Sequence, residues 1–482
     1  MKRNEAVFLL LLTLAALFIH GYHPWVEDAE IYLPGVEKIL HPQLFPFNTE
    51  FFQSHANLTL FPNLVAASVR VTHLPLDYAI FLWQLASIFL FLLACLKLSG
   101  KCSADPLAQW SGVTLIAALL TLPVAGTALY LMDQYINPRN LVASVAILSV
   151  IKMLDKKYLQ AGLLLAVSAL IHPLMSSFAI SFCVLLQVMK TARLPSGLVL
   201  LSLLPFGISL APASAAYHQA ALSHTYECVT HWAWYEWLGG FAPLVFLWFY
   251  TRIARAKGSV NMELMCRTLI VYQLLFIAAA LALDIPARFE ALARLQPMRS
   301  LYLLYVLFLL LSGILLGEYV LKKHIWRWLL LFIPLCIGMF AAQCSLFPAS
   351  PHIEWPWAAS KNAWVQAFEW VRDNTPASAE FALDPFYLAL PGEDENGFRV
   401  IAERGSMADA VKDSGVVTMF PDLADEWWEQ VQATANWRNF RAQDFERLRE
   451  RYHVTWVVLQ QPGTAGLECP YRNATVVVCR LE

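Results

Sequence analysis

Residues 5–34 read EAVFLLLLTLAALFIHGYHPWVEDAEIYLP, an apolar run that ends in His20-Gly21 and gives way at once to the acidic residues Glu27, Asp28 and Glu30. The run has the length that crosses roughly 30 Å of hydrocarbon. Carboxylates so close to a bilayer are costly to desolvate unless they line a polar site, so their position beside the first span marks them for attention. Lys2 and Arg3 precede the run as in a signal peptide, but no small-x-small cleavage site follows, and the segment reads as an uncleaved first helix.

The rest of the chain extends the membrane reading. Hydrophobic residues make up 58% and charged residues 15% of 482, with a mean hydropathy of +0.51, too apolar for a soluble domain. Apolar runs lie near 5–21, 77–98, 107–131, 140–155, 157–172, 173–190, 197–217, 238–252, 264–284, 299–320 and 326–347. About eleven spans are expected from these runs, with 140–190 the most crowded region. With the N-terminus inside, alternate connections collect Lys97 and Lys101, then Lys152, Lys156 and Lys157, then Lys190 and Arg193, then Arg252, Arg255 and Lys257, then Lys322, Lys323 and Arg327. The positive-inside rule therefore sets a cytoplasmic N-terminus, and an odd number of spans places the C-terminal segment outside. A net charge of −2 gives no sign of nucleic-acid binding.

A transmembrane domain over 1–349 and an extracytoplasmic domain over 350–482 follow from the change of composition. The first outer loop, about 22–76, is too long for a simple connection. Two amphipathic stretches in it, near 30–40 and 49–61, read as interfacial helices. A carboxylate between them suits removal of a proton from a hydroxyl acceptor, or holding a divalent cation against phosphate. The bland alternative is that Asp28 caps a helix while Glu27 and Glu30 are solvated.

Further outer segments carry chemistry of their own. Asn137-Pro138-Arg139-Asn140 starts a helix, and an Arg beside helix-start N–H groups suits phosphate, although Arg139 with Asp133 also makes a structural ion pair. Arg288, Arg294 and Arg299 stand on the side the positive-inside rule disfavours, which points to an anionic partner, a lipid headgroup included. Trp234-Tyr235-Glu236-Trp237 suits a sugar stacked on indole with its hydroxyls bonded to acid, or a plain interfacial anchor. His172-Pro173 reads first as a turn. His224, Glu227 and His231 would share one face of a helix and are, with Glu27 and Asp28, the weak metal candidates. Span interiors are nearly free of ionisable residues and no repeat is evident, which argues against an ion-coupled transporter.

From about 355 the pattern is that of a small α/β domain. Trp364, Phe368 and Val371 recur at helical spacing up to Asn374-Thr375-Pro376, where a helix must stop. Strands are expected near 381–383, 454–459 and 475–479, with helices near 405–413, 422–435 and 442–452. The polar, Gly-bounded loop 391–399 reads as mobile. Cys469 and Cys479 flank a turn, and a disulfide and two buried thiols both fit. Asn57-Leu58-Thr59 and Asn473-Ala474-Thr475 fit the N-glycosylation pattern. No nucleophile elbow, phosphate-binding glycine loop or zinc motif is present.

His23-Pro24 with Glu27-Asp28, Asn137-Pro138-Arg139, His172-Pro173, Trp234-Tyr235-Glu236-Trp237, Gln296-Pro297-Met298-Arg299 and Trp370 to Pro376 together resemble a bacterial branch of the GT-C superfamily of membrane glycosyltransferases. The resemblance implies a polytopic helical fold with a terminal α/β domain, and transfer of a hexosyl or pentosyl group from a polyprenyl-phosphate-linked donor to an envelope glycan, lipid or protein. It implies an inner-membrane location, with membrane lipids as surroundings, and a first-loop acid, here Glu27-Asp28, that acts on the acceptor or holds Mg or Mn. Arg139, Arg288, Arg294 and Arg299 become the candidates for donor phosphate, and Trp234, Glu236, Trp237 and His172 those for sugar and acceptor. A second acidic metal-binding motif of the oligosaccharyltransferase kind is missing, which weakens the expectation of a metal. A non-catalytic assembly protein for envelope polysaccharide, or a lipid or glycan transporter, uses the same scaffold differently.

Overall fold

The computed structural model describes residues 3–191, 214–284, 292 and 294–481. The chain divides into two compact units, one of Met1–Gly21, Leu82–Ala211 and Thr225–Ala342, the other of Tyr22–Phe81, Pro212–His224 and Gln343–Glu482.

Apolar helices make the first unit. Among the described residues, six helices are long and apolar enough to cross a membrane: Arg3–His20, Leu76–Cys102, Pro173–Thr191, Val260–Asp284, Pro297–Leu321 and Ile325–Leu346. The expected count of eleven is not reproduced. Pro138–Leu154 and Tyr158–Ile171 are helical but only 17 and 14 residues long, and fourteen residues reach about 21 Å at 1.5 Å each. The span expected over 107–131 is broken: its helix stops at Ala118, and β1 (Pro123–Val124) and β2 (Leu129–Tyr130) form a small antiparallel hairpin. Gly126 turns that hairpin with φ +63°, and a β-carbon there would lie 2.5 Å from the Trp232 indole, so the position requires glycine. Trp234–Lys257 ends in Arg252, Arg255 and Lys257. Most of the 197–217 run lies outside the described residues.

Small residues let two of these helices meet closely. A β-carbon on Gly313 would come within 2.7 Å of the Gly112 Cα, so Pro106–Ala118 and Leu301–Leu316 touch backbone to backbone.

The second unit is built on a five-stranded sheet. Its strands are β3 (Glu380–Ala382), β4 (Gly405–Ser406), β5 (Trp456–Gln460), β6 (Glu468–Arg472) and β7 (Val476–Arg480), in the order β4-β3-β5-β7-β6. The two pairings of β3 are parallel and those of β7 antiparallel. Ala382, Phe445, Leu448, Val457, Leu459 and Val477 fill part of its core. The helix Ala363–Asn374 is capped by Asn362 and stops before Thr375-Pro376, as its sequence requires. Pro470 hides β6 from a pattern reading, and its position at the sheet edge is where a strand tolerates proline. Cys469 and Cys479 are disulfide-bonded.

Three expectations are corrected in this unit. The helix placed at 405–413 is displaced to Lys412–Met419, because Gly405–Ser406 pairs with β3. The loop 391–399 is not a mobile excursion, since Glu393, Asn396, Phe398 and Arg399 are all buried. The first-loop helices are Ala29–Leu40, Glu50–Leu58 and Phe61–Thr72, so the 49–61 stretch breaks at Thr59-Leu60. Every residue from Ala29 to Glu37 is buried.

Candidate functional site

In the second unit, the acidic stretch is held by backbone hydrogen bonds to segments more than three hundred residues away. The Tyr22 N–H donates to the His352 carbonyl at 3.1 Å and Glu354 N–H donates back to Tyr22 at 2.9 Å. Gly397 N–H donates to Trp25 at 2.8 Å, and Glu27 N–H to Glu395 at 2.9 Å. Glu27 adopts φ +59°, a left-handed conformation that costs a non-glycine residue and is found where surroundings enforce it.

Side chains complete the arrangement. Lys412 Nζ lies 2.5 Å from Glu27 Oε2 and 3.6 Å from Asp28 Oδ1. The lysine is 14% exposed, while Glu27 and Asp28 keep 29% and 23% of their surface, so water reaches the acids. Desolvation and the charge of Glu27 push the Glu395 carboxyl up, although the residue keeps an exposed surface. Two carboxylates facing one ammonium leave a net negative charge, and Asp28 is the less tightly held by Lys412. Asp28 stands at the start of the helix Ala29–Leu40, but its side chain makes no cap hydrogen bond.

Behind the acids lies a buried charge network. Glu30, expected to be solvated on the bland reading, is 1% exposed and accepts the N–H groups of Arg399 and Val400 at 3.0 and 3.2 Å. Arg399 is bidentate on Asp413, at 2.9 and 2.7 Å. Asp409 accepts the N–H groups of Val411 and Lys412 at 2.7 and 2.6 Å, which fixes the start of the helix Lys412–Met419 and with it the root of the lysine. Lys412, Glu395 and Arg399 escaped sequence reasoning because no local pattern ties residue 412 to residue 27.

In the first unit, Asn137 caps the helix Pro138–Leu154 by accepting from Asn140 N–H at 3.1 Å. Gln84 donates to the Asp133 carbonyl at 2.8 Å and accepts from Asn140 at 3.2 Å, so the turn 133–140 is internally satisfied. Arg139, 7% exposed, meets Asp133 at 3.1 Å, the ion pair its sequence allowed. Arg139 also lines a recess shared with Arg299 and walled by Phe91, Met175, Phe178, Tyr302 and other apolar residues. Among the described residues Arg299 has no carboxylate partner, its Nε is buried without a hydrogen bond, and its guanidinium carbon lies 5.8 Å from the centroid of the Tyr226 ring.

The remaining candidates are dispersed. Arg294 is half-buried and does not line the recess, and Arg288 lies outside the described residues. Glu236 accepts the Ala233 N–H at 2.7 Å at the start of its helix, where Trp234 is 76% exposed. Trp237 packs between Trp232 and Phe241. His172 Nδ1 accepts from Met175 N–H at 3.4 Å, a turn role. The expected shared helical face of His224, Glu227 and His231 does not form: the helix ends at Ser223, and Glu227 and His231 fall on two separate 3₁₀ turns. Gln296 donates to Glu227 at 2.5 Å. Among the described residues no group of three or more His, Cys, Asp or Glu is arranged to hold a metal ion.

Fold and composition define a helical, multi-pass membrane protein with a small C-terminal sheet domain. No protein-family model matches the chain, and neither does any curated protein. Among solved structures it is similar to the crystal structure of the Archaeoglobus fulgidus oligosaccharyltransferase in complex with Zn and sulfate. That similarity has 13% identity and a TM-score of 0.47, and covers 94% of this chain and 67% of that one.

Proposed function

We propose that this protein is a GT-C-type glycosyltransferase, moving a sugar from a polyprenyl-phosphate-linked donor to an envelope glycan, lipid or protein on the outer face of the membrane. The observation that carries the reading is the recess in which Arg139 and Arg299 share an otherwise apolar wall. A half-buried guanidinium without a carboxylate favours an anion, and apolar walls favour hydrocarbon, so the complementary ligand is an amphiphile with a phosphate head. Asp133 offsets Arg139, which leaves the charge of Arg299 for the ligand.

The residue roles follow from the chemistry. Asp28 acts as general base, taking the acceptor hydroxyl proton as that oxygen bonds to the anomeric carbon. The bond from that carbon to the phosphate oxygen breaks, and the electron pair leaves with the phosphate, whose charge Arg299 and Arg139 stabilise. Glu27 assists by sharing Lys412. Trp234, Trp237 and Glu236 remain the candidates for sugar contact, with His172 toward the acceptor, and Arg294 and Arg288 for further phosphate contact.

The test compares envelope glycans and lipids, by mass spectrometry, from cells carrying the wild type, Asp28→Asn or no copy. The reading expects one sugar-sized mass increment to vanish in both the variant and the null. An Asp28→Asn strain identical to wild type beside a defective null would move the protein to the assembly class.

A further inference from the structure

A divalent cation at Glu27 and Asp28 would need several oxygen ligands at roughly 2.0–2.6 Å and carboxylates whose charge is not already met. Lys412 stands in that position. Its Nζ approaches Glu27 at 2.5 Å and Asp28 at 3.6 Å, and the lysine is only 14% exposed. The lysine is also built in: Asp409 fixes the backbone of its first helical turn, and Arg399 clamps the adjacent Asp413.

From this geometry we infer that Lys412 is the resident cation of the acidic site, holding Glu27 and Asp28 in place so that they act without a divalent metal. The inference rests on the reading of Asp28 as base and assigns Lys412 a positioning role. Burial opposes the lysine charge, but Glu27 and Asp28 outweigh it and hold the ammonium above the ordinary lysine range. Without the ammonium, Glu27 and Asp28 would lose their shared cation, and a divalent ion would then be drawn to them.

Titration of the full-length, detergent-purified protein with Mn²⁺, followed by the electron paramagnetic resonance of the free ion, tests the assignment. The wild type should leave the signal undiminished up to about 1 mM, the weak end of biological divalent sites. Lys412→Met should take up one Mn²⁺ per chain and lose it again on adding Glu27→Gln, whereas Lys412→Arg should behave as wild type. One Mn²⁺ on the wild type that Glu27→Gln removes would overturn the inference, and so would a folded Lys412→Met protein that binds none. Should Lys412→Met fail to fold, the comparison of wild type with Glu27→Gln decides alone. Metal uptake is read without any transfer assay, so a transfer-competent Asp28→Asn protein would refute the base and leave the Mn²⁺ result standing.

Discussion

The Glu30 carboxylate occupies the space where a side chain on residue 397 would begin: a β-carbon on Gly397 would lie 2.3 Å from Glu30 Oε2. That absence lets the carboxylate reach the N–H groups of Arg399 and Val400. Gly397→Ala must therefore displace Glu30 or the loop that carries residue 397. The expected cost is about 2 kcal/mol or more, from overpacking plus two weakened buried hydrogen bonds. Thermal unfolding measures it, and an unchanged midpoint would contradict this packing.

Arg399 carries a second prediction. It is 1% exposed and bidentate on Asp413, so Arg399→Met strands a buried carboxylate. Removing one partner of such a pair costs about 3–5 kcal/mol, whereas replacing both costs far less. Arg399→Met/Asp413→Leu should recover much of the lost stability in chemical unfolding. A double variant as unstable as the single one would show that the pair is not isolated from its surroundings.

The pH dependence of stability should run against the usual direction. Burial pushes Glu30 up to about 8, and Glu380 and Asp409 up to about 7. Unfolded, such groups titrate near about 4, so the folded state binds more protons between the two values. Their stabilisation is full below about pH 4 and is lost as pH rises through about 7–8. The midpoint should rise on going from pH 9 to pH 6, and Glu30→Gln should flatten part of that slope. A midpoint that falls over the same interval would count against these buried protons.

What the sequence discloses and what it conceals divide along physical lines. Breakers and caps act within a few residues, so Thr375-Pro376 marked the end of its helix and the valine runs marked β5 and β7. Pro470 gave the opposite signal for β6, because edge placement is a property of the sheet and not of the segment. Hydropathy located the long apolar helices but passed over the break after Ala118, which a glycine turn under Trp232 enforces. Arg139 and Arg299 stood out by residue type and by loop, and the structure sets both on one recess. The meeting of Glu27 with Lys412 joins residues 385 apart, and a single sequence carries no trace of it. The same holds for the loop 391–399, whose polarity suggested solvent although Glu393, Asp394 and Arg399 are buried.

The most direct measurement is native mass spectrometry of the detergent-purified wild type beside Arg299→Ala and Arg139→Ala. The account expects a co-purifying polyprenyl-phosphate species on the wild type, absent from Arg299→Ala and reduced in Arg139→Ala, whose charge Asp133 already offsets. Ordinary phospholipids alone, retained equally by all three proteins, would contradict the donor site and with it the proposed transfer.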